Sequence, residues 1–303
     1  MKIVSLKVAD ARTGARPMLG LVLGDLVFDL SAQAGASDFA ELLREAGARH
    51  VPLQQWLREI ADEIQGGQPV ARYSLLESGA AEGMALGLPL VPAEVWGAGL
   101  TYERSRNARV EESVLPDLYD RAYRDERPEL FFKDSGRRTV GPGEPIGVRS
   151  DSTWTVPEPE LALVLGEGAE VVAVTLGDDV TARDIEAQNA LYLPQAKIFD
   201  RCCALGPALV PAREVDLYDL EMRCRIIREG RVVFEGATST RLLRRRFEYL
   251  VSCLVRSNPL PAGTVLLTGT GIVPPDDVAL RPGDMVEIEA PAIGVLRNPV
   301  AQV

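Results

Sequence analysis

The stretch VPEPELALVLG, residues 156–166, places two glutamates, Glu158 and Glu160, at the start of an otherwise apolar run. Successive side chains of a β-strand point to opposite faces, so the two carboxylates are predicted to lie side by side. Two like charges held close together require a compensating cation or a bound proton. A hard divalent ion such as Mg²⁺ fits, because it prefers carboxylate oxygens. The alternative is that both glutamates lie on the solvent-exposed face of a half-buried strand, where Glu-x-Glu is common by chance.

The residues on either side extend this pattern. Leu161 to Leu165 are all apolar, which predicts a buried strand. A third acid, Asp179, follows a predicted turn in GDDVTARDIE, residues 177–186. It could join the glutamates at one cation, although Gly-Asp-Asp is also an ordinary turn sequence.

Composition narrows the classes of function. A formal charge of −11 and a sequence pI near 4.8 argue against nonspecific nucleic-acid binding. No stretch approaches the roughly 20 apolar residues that span a bilayer, so no membrane insertion is expected. The first residues carry too short an apolar run for a signal peptide, which favours a cytoplasmic location.

The histidine and cysteine content limits the chemistry further. The single histidine, His50, lies between two predicted helices and is expected to be structural or on the surface. Carboxylates and lysines are then the groups left to move protons. The four cysteines contain no C-x-x-C pair, so reduced thiols are expected rather than a structural zinc site.

Residues 1–90 are predicted to form a small N-terminal α/β domain. Its short strands are followed by a helix capped at Ser37 and by a second helix with Trp56, Leu57 and Ile60 on its apolar face.

Residues 91–303 are predicted to form a second, β-rich domain, because Gly and Pro punctuate a series of short strands. Two helices are expected in it, one after Thr181 and one over residues 240–257. Residues 102–129, here called the lid segment, are strongly charged and are expected to be a solvated connector or a lid that closes over a polar site. Neither G-x-G-x-x-G nor a P-loop is present in the sequence.

Several segments taken together resemble the fumarylacetoacetate hydrolase superfamily. They cover roughly residue 97 to the end and are RPELFFK (127–133), VPEPELALVLG (156–166), GDDVTARDIEAQN (177–189), QAKIFDRCCALGP (195–207), LLTGTGIVPP (266–275) and RPGDMVEIE (281–289). The resemblance implies an α+β, β-rich fold, a mixed β-roll with a small N-terminal α/β domain. It also implies a homodimer or homotetramer that acts on a small-molecule keto acid, with Mg²⁺ (or Mn²⁺ or Ca²⁺) held by Glu158, Glu160 and Asp179.

The lid segment distinguishes between members of the superfamily. Hydrolytic and decarboxylating members often carry Tyr, His three residues on, and Glu three further, whereas here Tyr102 is followed by Ser105 and Ala108. The YERSR lid, together with Glu129 and Lys197, resembles the dehydratase members instead. That resemblance implies Glu129 and Lys197 as acid/base residues. It also implies Mg²⁺-dependent dehydration of a 2-keto-3-deoxy sugar acid, such as a pentonate, to a 2,5-dioxo acid through a metal-stabilised enolate.

Other residues are assigned around this chemistry. Arg183 is expected to support the metal carboxylates from behind, and Asp184 to cap or pair locally. Contacts with the substrate are expected from Arg104, Arg106, Lys133, Thr270 and Gly271, although solvated charges and a plain tight turn are the alternatives.

Two other functions stay open on the sequence alone. One is a C–C bond hydrolase of an acylpyruvate or diketo acid, in which Glu111 or Glu112 of the lid segment replaces the usual histidine. The other is a metal-binding scaffold that has lost its activity.

Overall fold

The apolar run after Glu160 forms a strand, Pro159–Leu165, in which every side chain is buried, as predicted. A proline is tolerated at its first residue.

The computed structural model describes residues 1–10, 14–113 and 115–303. The strands in these residues are β1 (Lys2–Asp10), β2 (Gly14–Leu23), β3 (Leu26–Asp29), β4 (Ala71–Arg72), β5 (Met84–Leu86), β6 (Val95–Gly99), β7 (Glu129–Asp134), β8 (Thr139–Val140), β9 (Ile146–Val148), β10 (Thr155–Val156), β11 (Pro159–Leu165), β12 (Val171–Asp179), β13 (Thr181–Ala182), β14 (Cys203–Pro211), β15 (Glu221–Arg228), β16 (Arg231–Ser239), β17 (Thr264–Leu267), β18 (Met285–Ala290) and β19 (Gly294–Gln302).

These strands form one large mixed sheet and two smaller ones. The large sheet runs β4-β3-β2-β1-β14-β12-β11-β17-β6-β7, with β5 added on β1 and β8 on β14. A second sheet runs β16-β15-β18-β19-β9, and β10 pairs with β13. Most neighbours are antiparallel, but β17 with β6, β14 with β8 and β19 with β9 are parallel. The prediction of a β-rich α+β fold with mixed sheets is confirmed.

The N-terminal strands continue into the sheet of the C-terminal part. Strand β1 pairs with β14 through Ile3 and Leu209. Both of these side chains belong to one continuous hydrophobic core. The boundary near residue 90 stays a prediction, since the backbone pairing crosses it.

The helices in the described residues are α1 (Ser31–Ala34), α2 (Phe39–Ala48), α3 (Leu53–Ile64), α4 (Tyr73–Glu77), α5 (Glu103–Glu112), α6 (Pro116–Arg124), α7 (Arg183–Gln188), α8 (Leu193–Lys197) and α9 (Phe247–Leu254). Among residues 1–10, 14–113 and 115–303, none of them is long and apolar enough to cross a membrane. The predicted apolar face of α3 is confirmed, because Trp56, Leu57 and Ile60 are all buried. His50 is exposed and lies between α2 and α3, also as predicted.

Two helix boundaries differ from the prediction. The cap of α2 is Asp38 rather than Ser37, and its side chain accepts a hydrogen bond from the Glu41 amide. Ser37 instead donates its amide and hydroxyl protons to the Glu41 carboxylate. The pattern resembles a capping box, except that Glu41 accepts from Ser37, the residue before the cap, rather than from the cap residue itself.

The helix predicted over residues 240–257 is shorter. Thr240–Leu242 is a 3₁₀ turn and only Phe247–Leu254 is α-helical. Leu243 pairs with Tyr102 in an isolated β-bridge, and the Arg244 amide donates to the Thr101 carbonyl. These tertiary hydrogen bonds occupy backbone groups that a continuous helix would use, so the helix cannot start at residue 240.

Candidate active site

The site lies where several strand ends meet at one edge of the large sheet. Glu158 directly precedes β11 and Asp179 ends the antiparallel β12, so the two acids reach the same edge. Strand β14 begins there opposite Asp179, shortly after Lys197. Strand β17 ends there before Gly269. Residues far apart in sequence therefore converge because neighbouring strands alternate in direction.

The three acids form a compact group of oxygen donors. Glu158, Glu160 and Asp179 each offer one carboxylate oxygen, and these oxygens lie within 4.8 Å of one another. The residues are only 5%, 2% and 1% exposed. The Glu160 Oε2 atom also accepts a hydrogen bond of 2.5 Å from the Gly269 amide. The two glutamates predicted to lie side by side are therefore close together, with Asp179 beside them.

Two buried lysines face these acids. Lys197 Nζ donates to Glu158 Oε2 and Asp179 Oδ2 at 2.7 Å each and to Thr181 Oγ1 at 2.8 Å. Lys133, 0% exposed, donates to the Val180 carbonyl, and its Nζ lies 2.5 Å from Asp179 Oδ1. From the described part of the chain, Asp179 Oδ1 accepts no directed hydrogen bond. The second contact is therefore an ion pair.

An arginine of α5 connects the lid segment to the acids. Arg109 donates to Glu158 Oε1 at 2.8 Å, and its Nη2 lies 2.6 Å from Glu186 Oε2 on α7. Arg183 donates to the same Glu158 oxygen at 2.9 Å and to Glu112 Oε1 at 3.1 Å. Helix α5 is thus held against the acids through two arginines, and Arg183 supports Glu158 from behind.

The two glutamates titrate in opposite directions. Burial alone would raise the pKa of Glu158, but Lys197, Arg109 and Arg183 hold it well below its usual range. Burial, followed by the charges of Asp179 and Glu158, raises the pKa of Glu160 well above its usual range. Negative charge at Glu160 is therefore only partly compensated by the protein, a condition that a bound cation would relieve.

A small cavity opens onto the acids, and Glu129 lines it together with Lys197. Glu129 starts β7 opposite Gly99, where a Cβ atom would collide with the Glu129 carboxyl group in its present position, so glycine leaves room for that carboxyl group. Burial, followed by the charge of Glu186, raises the pKa of Glu129 to about 7. A carboxyl group with such a pKa can accept and return a proton near neutral pH.

The structure separates the residues that we expected to contact a substrate. Thr270 lines the cavity, as does the neighbouring Gly269, whereas Gly271 lies against Tyr102 and Thr238. Lys133 is wholly buried behind Asp179 and does not line the cavity. A substrate contact for Lys133 stays a prediction, and in this structure its charge pairs with Asp179.

The two predicted lid arginines do not line the cavity either. Arg104 is exposed, and Arg106 pairs with Asp120 at 3.1 Å and lies over the Tyr123 ring. The arginine of α5 that reaches the acids is Arg109. Asp184 accepts a local hydrogen bond from the Ile185 amide, and it also accepts hydrogen bonds from the Ser152 hydroxyl and the Thr153 amide, which are distant in sequence.

Sequence reasoning missed Arg109 and Glu186, and helix periodicity could have found both. Tyr102, Ser105 and Arg109 follow an i, i+3, i+7 spacing, and Ser105 and Arg109 line the cavity. Glu186 lies three residues after Arg183 on α7 and lines the cavity too.

This fold and site place the chain in a known family. Residues 95–301 match the family model described as fumarylacetoacetate (FAA) hydrolase C-terminal, and the chain belongs to this family. It is 48% identical over 246 residues to 2-dehydro-3-deoxy-D-arabinonate dehydratase of Saccharolobus solfataricus, covering 80% of this chain and 82% of that protein.

Two further relatives carry related names. The chain is 42% identical over 278 residues to a probable 2-keto-3-deoxyxylonate dehydratase of Haloferax volcanii, covering 91% of this chain and 92% of the relative. A solved structure of 2-keto-3-deoxy-D-arabinonate dehydratase, complexed with magnesium and 2,5-dioxopentanoate, matches with a TM-score of 0.81 and 36% identity. That match covers 100% of this chain and 99% of the other.

Proposed function

We propose that this protein is a Mg²⁺-dependent hydro-lyase that dehydrates a 2-keto-3-deoxy sugar acid. The candidate substrate is a pentonate such as 2-keto-3-deoxy-D-arabinonate, and the product is the 2,5-dioxo acid. The observation that carries this proposal is that three buried acids, Lys197 and Glu129 line one cavity. The relatives named as dehydratases support it.

The donor set fits the proposed metal. Glu158, Glu160 and Asp179 provide only oxygen ligands, which Mg²⁺ prefers and which also suit Mn²⁺ and Ca²⁺. The raised pKa of Glu160 reflects burial and repulsion from the other two acids, and a divalent ion would relieve that repulsion. When bound, Mg²⁺ would act as a Lewis acid toward the carboxylate and ketone of an α-keto acid.

Glu129 and Lys197 are assigned complementary parts in proton transfer. Glu129, with a pKa raised to about 7 by burial and by Glu186, takes the C3 proton of the substrate. Burial disfavours the charge on Lys197, but Asp179 and Glu158 raise its pKa, so the ammonium group stays protonated. Lys197 therefore suits the stabilisation of the negative charge that develops when the proton leaves. Glu129, once it holds the C3 proton, delivers it to the departing C4 hydroxyl, so that both carboxylate and ammonium return to their starting states.

The proposed reaction balances without any redox partner. The C3 proton and the C4 hydroxyl leave as one water, which gives an unsaturated keto acid. A proton then moves from C5 to C3, and ketonisation at C4 and C5 gives the 2,5-dioxo acid. No water nucleophile takes part, which agrees with a cavity whose lining contains no histidine among the residues that the structure describes.

The lid glutamates give the hydrolase alternative little support. Glu111 is exposed, and Glu112 is held by Arg183 and Arg109. Neither residue lines the cavity, so neither is placed to orient an attacking water. The inactive-scaffold alternative predicts that metal binding stabilises the protein without turnover of any keto acid.

We further propose a cytoplasmic enzyme that works as a homodimer or homotetramer, following the family resemblance. The keto acid is its small-molecule partner, and the net charge of −11 gives no basis for nucleic-acid binding.

Incubation with 2-keto-3-deoxyarabinonate and Mg²⁺ tests the proposed function. Formation of the dioxo acid is measured with a reagent that reacts with its new carbonyl group. We expect dioxo-acid formation that stops when the metal is chelated. An acylpyruvate serves as the comparison substrate. Cleavage of the acylpyruvate without turnover of the sugar acid would remove the dehydratase in favour of the hydrolase.

A further inference from the structure

A second, larger cavity adjoins the site, and four of its lining residues lie outside the site cavity. It shares Leu100, Tyr119, Glu129 and Glu186 with the site cavity, so the two spaces meet beside the proposed proton acceptor. The three metal-binding acids, Gly269 and Thr270 line only the site cavity. We refer to this second space as the side chamber.

Beyond the shared residues the side chamber is apolar. Its remaining lining residues are Leu118 and Ala122 of α6, Ala190, which follows α7, and Leu193 of α8. The polar lining groups are thus confined to the junction with the site cavity, at Tyr119, Glu129 and Glu186. A molecule that extends from the site into the chamber would pass from a polar to an apolar environment.

The site cavity is much smaller than the side chamber. The centre of a water molecule can reach about 30 Å³ of the site cavity and about 180 Å³ of the side chamber. One water requires roughly 10–15 Å³ of volume open to its centre, so the site cavity holds about two waters. A keto acid with its carboxylate and ketone at the three acids must continue elsewhere, and the chamber adjoins the cavity beside Glu129.

We propose that the side chamber is a binding subsite for the far end of the substrate's carbon chain and that it takes an alkyl terminus such as a methyl group. This inference rests on the proposed function, since it places C1 and C2 of a 2-oxo acid at Glu158, Glu160 and Asp179. Carbons C4 and C5 then lie beside Glu129 and Glu186, whose carboxyl groups can accept hydrogen bonds from chain hydroxyls. A sixth carbon reaches the apolar walls.

The chemistry of the walls decides which six-carbon acids fit. A methyl terminus gains from leaving water, at about fourfold in affinity per buried methylene-sized group. A terminal hydroxymethyl group loses its hydrogen bonds to water there, because Leu118, Ala122, Ala190 and Leu193 offer no side-chain partner. The site is therefore expected to prefer 2-keto-3-deoxy acids whose sixth carbon carries no oxygen over those that end in a hydroxymethyl group.

Binding of straight-chain 2-oxo acids tests the chamber without any turnover. Calorimetry of the full chain with Mg²⁺ is run against pyruvate and against 2-oxo acids of four, five and six carbons. We expect the dissociation constant to fall about fourfold with each carbon that enters the chamber, so that 2-oxohexanoate binds more tightly than 2-oxobutanoate. If pyruvate binds but the affinity does not rise with chain length, the chamber is no subsite and the proposed function stands. If no 2-oxo acid binds, both are overturned.

Two substitutions on different elements fill the chamber. We expect Ala122→Phe on α6 and Ala190→Phe after α7 to abolish the gain between four and six carbons. Leu191→Phe is the matched control, because Leu191 is adjacent to Ala190 in sequence, 82% exposed, and outside the chamber lining. An equal chain-length gain in all three variants, each checked for an unchanged melting temperature, would overturn the assignment.

Discussion

Removing the ammonium group of Lys197 tests how the buried charges are balanced. In Lys197→Met, the Glu158 and Asp179 carboxylates each lose a donor at 2.7 Å, and Thr181 loses one at 2.8 Å. Loss of one partner from a buried ion pair typically costs about 3–5 kcal/mol. One kcal/mol shifts the melting temperature of a protein of this size by roughly 2 °C, so we expect a loss of about 6–10 °C without metal.

Mg²⁺ should reverse most of this loss. The ion would bring positive charge to the same carboxylates, and a ligand that binds only the folded state stabilises it in proportion to the logarithm of its concentration. We therefore expect Mg²⁺ to raise the melting temperature of Lys197→Met by more than that of the unaltered protein. Differential scanning fluorimetry across a Mg²⁺ series measures both effects.

The experiment has a matched control and a clear refutation. Lys7→Met removes an exposed pair of similar length, 2.6 Å to Glu144, and should cost no more than about 1 kcal/mol. Burial lowers the pKa of Lys197, but Asp179 and Glu158 raise it above its usual value. Its contribution to stability is thus complete below the unfolded pKa of about 10.4, and the defect should not change between about pH 6 and 9. Equal losses in the two variants, or no response to Mg²⁺, would refute the proposed charge balance.

The remaining predictions concern catalysis. Glu129→Gln should lower kcat by roughly 10²–10⁴-fold in steady-state assays while Mg²⁺ affinity is kept, and a change of only a few-fold would remove the acid/base assignment. Burial and Glu186 raise the pKa of Glu129 to about 7. If the ionised form takes the C3 proton, as we propose, kcat/KM should rise with pH through about 7, whereas a fall over that range would make Glu129 the acid. Arg109→Ala should lower kcat/KM at least about tenfold, since it removes the ion pairs to Glu158 and Glu186. The control Arg104→Ala, on the same helix, should change kcat/KM by no more than about twofold. Equal effects of the two substitutions would show that the closeness of Arg109 to the acids has no catalytic consequence.

Local periodicity was sufficient to predict part of this site. The i, i+2 spacing of Glu158 and Glu160 predicts a shared face in a strand, and the all-apolar run after them predicts burial. Both features depend only on neighbouring residues. The same reasoning applied to α5 indicates Arg109, because it lies on the face of Tyr102 and Ser105.

Features that depend on distant pairing could not be predicted in this way. In the sequence, Lys133 resembles a solvated lysine at the end of a strand. In the folded protein, β12 places Asp179 next to it. Leu243 fits the apolar face of a helix, but its backbone pairs with Tyr102. Such contacts depend on strand order, which is not encoded in any short segment of the sequence.

The central claim is that Glu158, Glu160 and Asp179 together hold one divalent cation. The most direct measurement is isothermal titration calorimetry of Mg²⁺ into the metal-free protein and into Glu160→Gln, with Glu144→Gln, an acid outside the site cavity, as the control. We expect one ion per chain in the unaltered protein and in the control, and an affinity at least about tenfold weaker in Glu160→Gln. Equal affinity in all three proteins, or no Mg²⁺ binding in any of them, would contradict the claim.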